Sequence, residues 1–509
     1  MHVPLTHPVT PRDEYNQKLL NNVHPEDWVN PTPEGRYNLV VIGAGAGGLV
    51  TAAGAAGLGA KVALIERNLL GGDCLNIGCV PSKAIIRSGE VMAEIRNAEK
   101  FGIHLDQDSV KADFAQVMER MRKVRSDISP HDSAQRFKDL GVDVFIGDGT
   151  FTGPDTIEVG GQTLKFKRAV IATGARATRP DVEGLNEVGY HTNETIFNLT
   201  EQPRHLAIIG GGPIGCELSQ SFHRLGSKVT LIHNANHVLN REDADAAAVV
   251  QESLLDEGVN LVLGARFNKA EATEDGRKRL YYEQNGETHS VVADEILVSI
   301  GRTPNVEKLG LEQVGVEYDR HGVKVNDYLQ TTNSKVYAVG DACLKLKFTH
   351  AADASARIVI RNTLFGGHQK MSEVILPRST YTDPEIAQVG LTVEEAAEQG
   401  VEIDTFEKSF AEVDRGMTDG VVRGFAKIHV EKGSDKIVGA TLVGRHTGDM
   451  MNEISLAMTY NLGLSKIADV VHPYPTQGEI IRQLAGMYMR TKMTPFVKGA
   501  FNKWLEITR

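Results

Sequence analysis

A strand, a glycine-rich turn, a small-residue helix and a second strand occur twice in this chain. That repeat constrains the fold more than any other feature. The first copy is YNLVVIGAGAGGLVTAAGAAGLGAKVALIE, residues 37–66; the second is RHLAIIGGGPIGCELSQSFHRLGSKVTLIH, residues 204–233. Their first glycines, Gly43 and Gly210, stand 167 residues apart. The strands are continuous apolar runs, as in parallel sheets covered on both faces. Two copies of this unit predict two dinucleotide-binding domains. From residue 376 the pattern changes: VVRGFAKIHV and KIVGATLVG alternate like antiparallel strands, and DMMNEISLAMTYNLG has helical spacing. The expected fold is therefore α/β, with two Rossmann-like domains and a C-terminal α+β domain.

Within each turn the glycines divide the work. In Gly43, Gly45 and Gly48, the first permits the tight turn, the second lets backbone approach a pyrophosphate, and the third lets helix pack on strand. The helix N-terminus favours the phosphate charge. Glu66 ends the next strand, 23 residues after Gly43, where a carboxylate can bind ribose hydroxyls. The second turn has Gly210, Gly212 and Gly215, but its acid position holds His233, followed by Asn234. Without a carboxylate to repel a 2′-phosphate, the second site is expected to favour NADPH over NADH.

The net charge of −11 argues against a nucleic-acid binder, which usually shows a basic face. No apolar run is long enough to cross a bilayer, and MHVPLTHPVTPRDEYNQ lacks the pattern of a secretory signal, so a cytoplasmic location is expected. Four cysteines, at 74, 79, 216 and 343, cannot be a disulfide framework for 509 residues. No Cys or His cluster accompanies them, and no metal site is expected.

Cys74 and Cys79 lie in GGDCLNIGCVPSK, residues 71–83. Positions five apart fall on different sides of a regular helix, so bridging them requires a distorted first turn. Gly78 and Pro81 suit a helix that starts irregularly. A cysteine near a helix N-terminus has a stabilised thiolate, and Lys83, four residues beyond Cys79, adds positive charge. A redox-active pair is the expectation.

With these residues in view the chain resembles the class I flavoprotein disulfide reductases, the family of glutathione reductase, dihydrolipoamide dehydrogenase and mercuric reductase. GGDCLNIGCVPSK is close to that family's redox signature. ATGARATRP (172–180), SIGRTPN (299–305), VYAVGDA (336–342) and YTDPEIAQVG (381–390) follow in the family's order. The resemblance implies FAD at the first site and NAD(P)H at the second, with electrons passing through a Cys74–Cys79 disulfide to an acceptor. It places Cys79 beside the flavin and Cys74 toward the substrate. It places Lys83 near the flavin with Glu217 as its partner, Asp341 on the ribityl side, and Thr173 and Gly174 along the FAD. Gly72 and Gly301, inside two of the motifs, join the cofactor-binding residues. It also implies a homodimer.

HPYPTQGE, residues 472–479, then bears on the acceptor. Disulfide reductases of this family carry a histidine five residues before a glutamate and directly before a proline. Counting back from Glu479 reaches Tyr474, followed by Pro475, with His472 two residues earlier. Tyrosine titrates near 10 and is a poor base at neutral pH. Mercuric reductases, as a family, have tyrosine here. The match to them is incomplete, because no cysteine follows Cys343 and residues 1–36 contain none. The expected function is mercuric reductase-like transfer to a metal ion or small molecule. A small-disulfide reductase or dihydrolipoamide dehydrogenase-like enzyme is the second reading, and a redox-responsive binding protein the third.

The expected layout is a polar extension over 1–36 lying on the surface, pinned by Trp28, then FAD-binding segments at 37–190 and 320–375. These enclose an NAD(P)-binding domain at 191–319. A dimerisation domain at 376–492 and an amphipathic helix at 493–509 complete it. The helix's apolar face is read as docking on the protein's own dimer, or as a contact with a peripheral partner or membrane.

Overall fold

The computed structural model describes residues 8–509. The chain divides into two compact units, each described by itself. One takes in the chain up to Asn234 together with Val259–Val374; the other joins Ala235–Gly258 to Ile375–Arg509.

The first unit holds both copies of the repeat. Strand Arg36–Ile42 pairs in parallel with Val62–Glu66 on one side and Gln162–Ile171 on the other. In this register Ile42 lies opposite both Ile65 and Ile171. Val142–Ile146 extends the sheet beyond Val62–Glu66. Two antiparallel strands, Thr150–Gly153 and Thr156–Val159, extend the other edge. Val336–Ala338 returns from much later in the chain and pairs in parallel with Gln162–Ile171. The second copy builds a four-stranded parallel sheet from Asn260–Val262, Lys228–Ile232, His205–Ile209 and Glu295–Val298. Three of these strands, Lys228–Ile232, His205–Ile209 and Glu295–Val298, are buried almost throughout, in keeping with their unbroken apolar sequence.

The N-terminal extension is more than a surface strap. A helix, Glu14–Val23, buries Leu19, Leu20 and Val23 in the core around the first sheet. Buried Arg125 donates to Asn16 Oδ1 at 2.6 Å and to the Asn76 carbonyl at 2.7 Å. Trp28 pins the segment as expected, its indole N–H donating to the Val144 carbonyl at 3.1 Å. Asn30 exchanges two hydrogen bonds with the backbone of Ile146.

The second unit is a five-stranded antiparallel sheet in the order Arg378–Thr380, Glu385–Gly390, Ile437–Gly444, Phe425–Glu431 and Ile403–Ser409. The sequence of Phe425–Glu431 suggests one wet face, yet all but its last residue are buried. Ala426, Ile428 and Val430 share a core with helix Thr447–Thr459. The other face meets the segment leading into helix Ala244–Glu257: Lys427 Nζ bonds both Asp245 carboxylate oxygens at 2.7 Å and stands 3.2 Å from Asp243. These ion pairs tie the start of that helix to the C-terminal sheet. A buried lysine is tolerated only when so paired.

Candidate active site

The glycines of the two turns separate by what surrounds them. A Cβ at Gly43 would lie 2.4 Å from the Ala172 carbonyl oxygen, and one at Gly48 would lie 1.8 Å from that of Gly43. Equivalent additions at Gly210 and Gly215 would come to 2.6 Å from Ser299 O and 1.9 Å from Gly210 O. These four are packing glycines. The middle ones differ: at Gly45 only the Cα of Gly72 comes within 4 Å, at 3.8 Å, and at Gly212 nothing does. Helices Ala46–Gly57 and Pro213–Arg224 begin directly after them. Each turn therefore presents a bare backbone and a helix N-terminus to open space, which fits the diphosphate of a dinucleotide.

The strand-end residues act alike despite their different chemistry. Glu66 is buried and accepts the backbone N–H groups of Ala44 at 2.6 Å and Asn68 at 2.8 Å. Burial pushes its pKa up, against those two bonds. His233 is also buried, and its Nδ1 accepts the N–H of Gly211 at 3.1 Å. Each thus clasps the residue after its turn's first glycine. Accepting at Nδ1 places the His233 proton on Nε2. Asn234 is exposed.

The cysteine segment has the break that the spacing requires. Helix Gly72–Ile77 ends at Gly78, whose φ of −139° and ψ of −113° interrupt the run, and Cys79 starts helix Cys79–Arg96. Cys74 and Cys79 are free thiols within hydrogen-bonding reach of each other. Together they share one proton unequally. The hydrogen bond from Cys74 lowers Cys79 to about 6, aided by Thr349 and by the charge of Lys83, while the same contact raises Cys74. Thr349 Oγ1, at the start of helix Thr349–Phe365, is 3.4 Å from Cys79 Sγ. Lys83 Nζ stands 2.8 Å from the buried Glu217 carboxylate. Burial disfavours the thiolate at the other two cysteines, pushing Cys343 up to about 12 and Cys216 higher still.

Two residues that the sequence reading did not single out, Arg302 and Asn305, brace the surroundings of this segment. Arg302 pairs with Asp73, immediately before Cys74, and its Nε lies 3.3 Å from Asp341 Oδ2. Burial raises Asp341 in spite of that partner. Asn305 staples Thr173: it accepts the Thr173 hydroxyl at its carbonyl, 2.6 Å, and donates its side-chain amide to the Thr173 carbonyl, 2.9 Å. Gly174, with φ of 67°, faces open space, and its carbonyl accepts the Asn305 N–H at 3.0 Å. Gly72, at φ of 56°, packs so closely that a Cβ would lie 2.6 Å from Gly45 Cα. Gly301, at φ of 130°, has only Thr178 Oγ1 near, at 3.9 Å. Arg302 and Asn305 both sit in SIGRTPN, so motif membership was the one signal that could have found them.

Tyr474 and Glu479 belong to the second unit. The Tyr474 phenol is 69% exposed and donates to Asp414 Oδ2 at 2.7 Å. That bond, more than Glu479, raises its pKa. Glu479 is buried and accepts from Arg482 at 2.6 Å. His472 turns inward, its Nε2 3.0 Å from Glu453.

The model of the pyridine nucleotide-disulphide oxidoreductases matches residues 37–356, and that of their dimerisation domain matches 376–485. The chain belongs to this family. Its members bind FAD and use NAD(P)H, and the dimerisation domain points to a homodimer. The chain is 35% identical to a mercuric reductase of Staphylococcus aureus over 462 residues, 90% of this chain and 84% of the relative. It is 34% identical to a dihydrolipoyl dehydrogenase of Geobacillus stearothermophilus, over 89% of this chain and 96% of that one. The Cu(II) complex of the HOCl-induced flavoprotein disulfide reductase RclA from Escherichia coli superposes with a TM-score of 0.79 at 27% identity, covering 89% of this chain and all of that one. Among the described residues of this oxidoreductase, no helix is long and apolar enough to cross a membrane.

Proposed function

We propose that this oxidoreductase passes electrons from NADPH through FAD and the Cys74–Cys79 pair to a thiophilic metal ion. The observation that carries the metal-ion reading is Tyr474. Its phenol is exposed and held by Asp414 above its ordinary pKa, while His472 is engaged by Glu453. The position where a disulfide substrate needs a base titrating near neutrality holds a group that stays protonated. A metal ion bound by thiolate sulfur needs no such base. The mercuric reductases among the relatives and the copper complex of the RclA structure support this acceptor class.

Bound FAD supplies the two-electron link between nicotinamide and disulfide. The chain's part is positional and electrostatic. The bare backbones at Gly45 and Gly212 receive the two diphosphates, with Gly72, Thr173, Gly174 and Asp341 along the FAD and Gly301 near the nicotinamide nucleotide. Lys83, fixed by Glu217, and the Thr349 hydroxyl hold negative charge at Cys79 Sγ. The reduced pair carries one proton at Cys74 Sγ, and a metal ion arriving there displaces it. Two electrons leave the dithiolate, for one mercuric ion or for two cupric ions in turn, and the Cys74–Cys79 bond re-forms. Tyr474 presents its phenol, with the proton held by Asp414, at the acceptor side, and Glu479 anchors its segment through Arg482.

Purified holoenzyme assayed for NADPH oxidation with mercuric and cupric ions, glutathione disulfide and lipoamide tests the reading. Metal-ion turnover should exceed disulfide turnover. Tyr474→His should raise disulfide turnover roughly 10²-fold, the usual worth of a placed general base, and His472→Ala should change little. Rapid native reduction of either disulfide, lost in His472→Ala but not in Tyr474→Phe, would overturn the proposal and make this an ordinary disulfide reductase.

A further inference from the structure

The last helix, Pro495–Thr508, has no buried residue. Phe496 is 84% exposed, Trp504 63% and Ile507 72%, with Phe501 and Leu505 also more than half exposed. At 3.6 residues per turn these five fall on one continuous face covering about half the circumference. Trp504 occupies the middle of that face. Lys503 borders one edge beside Phe496, and Lys498 borders the other beside Leu505. Asn502, Glu506 and Arg509 fill the opposite face.

Charge separates this end from the rest of the protein. Residues 490–509 carry five basic groups, Arg490, Lys492, Lys498, Lys503 and Arg509, against one acid, Glu506, in a chain of net charge −11. Met489, in the preceding helix Glu479–Thr491, and Met493, between the two helices, are also exposed.

We infer that this helix lies in the surface of an anionic phospholipid bilayer. Its aromatic face enters the headgroup boundary, and Lys498 and Lys503 reach phosphates on either side of it. Lysines on both edges of an apolar face, with a tryptophan at its centre, match a planar interface that offers phosphate on both sides at once. The helix is too short to span a bilayer, so it lies on the membrane. A second copy of this acidic chain is the rival occupant, and the dimer state tests it.

Full-length holoenzyme should float with vesicles of phosphatidylglycerol and phosphatidylcholine about tenfold more than with phosphatidylcholine alone at low salt, falling as salt rises. Trp504 emission should shift to shorter wavelength on the anionic vesicles, and Trp504→Phe should remove that shift, leaving the signal of Trp28. Phe501→Ser with Trp504→Ser should abolish flotation while NADPH oxidation in solution is unchanged. Removing residues 493–509 should abolish flotation and leave a dimer. Failure to float on anionic vesicles, equal flotation on neutral ones, or conversion of the truncated protein to a monomer would each overturn the inference. The last of these would assign the face to a second copy of the chain.

Discussion

At the scale of single residues, the site is governed by which atom carries the proton. Cys79, lowered to about 6 chiefly by the hydrogen bond from Cys74, is a thiolate at neutral pH in the reduced pair. The sign follows: the thiolate persists above about pH 6 and is lost as pH falls through it. The two-electron-reduced holoenzyme should therefore show a long-wavelength thiolate–flavin absorption that fades below that pH. Cys79→Ser should remove the band with FAD still bound, and Lys83→Met should move its midpoint to higher pH. A band that survives Cys79→Ser would assign the wrong sulfur. The second residue-scale prediction concerns His233, which accepts the Gly211 N–H as Glu66 accepts that of Ala44. A glutamate can take up the same bond, so His233→Glu should fold normally. Its carboxylate would face the 2′-phosphate, and the KM for NADPH should rise roughly tenfold, or about 1.4 kcal/mol. A native enzyme with the lower KM for NADH would sink the NADPH preference.

At the scale of elements, the two glycine turns offer a controlled comparison. Gly215 has no room for a methyl group, whereas Gly212 has nothing within 4 Å. Gly215→Ala should lower the melting temperature, because helix Pro213–Arg224 must move off its sheet. Gly212→Ala should melt like the native protein yet bind NADPH more weakly, since the added methyl occupies only the approach of the diphosphate. If Gly212→Ala binds NADPH with native affinity, the second turn does not face the nucleotide. Elements also show contacts that sequence pattern does not display: the buried Lys427 of the C-terminal sheet finds its acidic partners at Asp243 and Asp245, where helix Ala244–Glu257 begins.

At the scale of the whole molecule, Tyr474 stands exposed on a dimerisation-domain loop, while the cysteine pair belongs to the other unit. The proposed arrangement is a homodimer in which Tyr474 and Glu479 of one subunit serve Cys74 and Cys79 of the other. Cys74→Ser and Glu479→Ala should each be inactive as homodimers. Mixed and allowed to exchange subunits, they should regain activity, because one site of a heterodimer is then intact. Exchanged dimers with no recovered activity would exclude a shared site.

Much of this was legible in the sequence because its signals are local. The repeat, the glycine spacing, the Cys74–Cys79 segment and the apolar stripe of the last helix all depend on residues close together in the chain. Backbone conformation and helical periodicity act over the same short distances. The tertiary structure alone decided the partners. Arg302 reaches Asp73 across 229 positions, Asn16 accepts from Arg125 across 109, and Tyr474 pairs with Asp414 across 60. Such contacts depend on how elements pack, and buried charges and hydrogen-bonding groups must find partners wherever packing brings them.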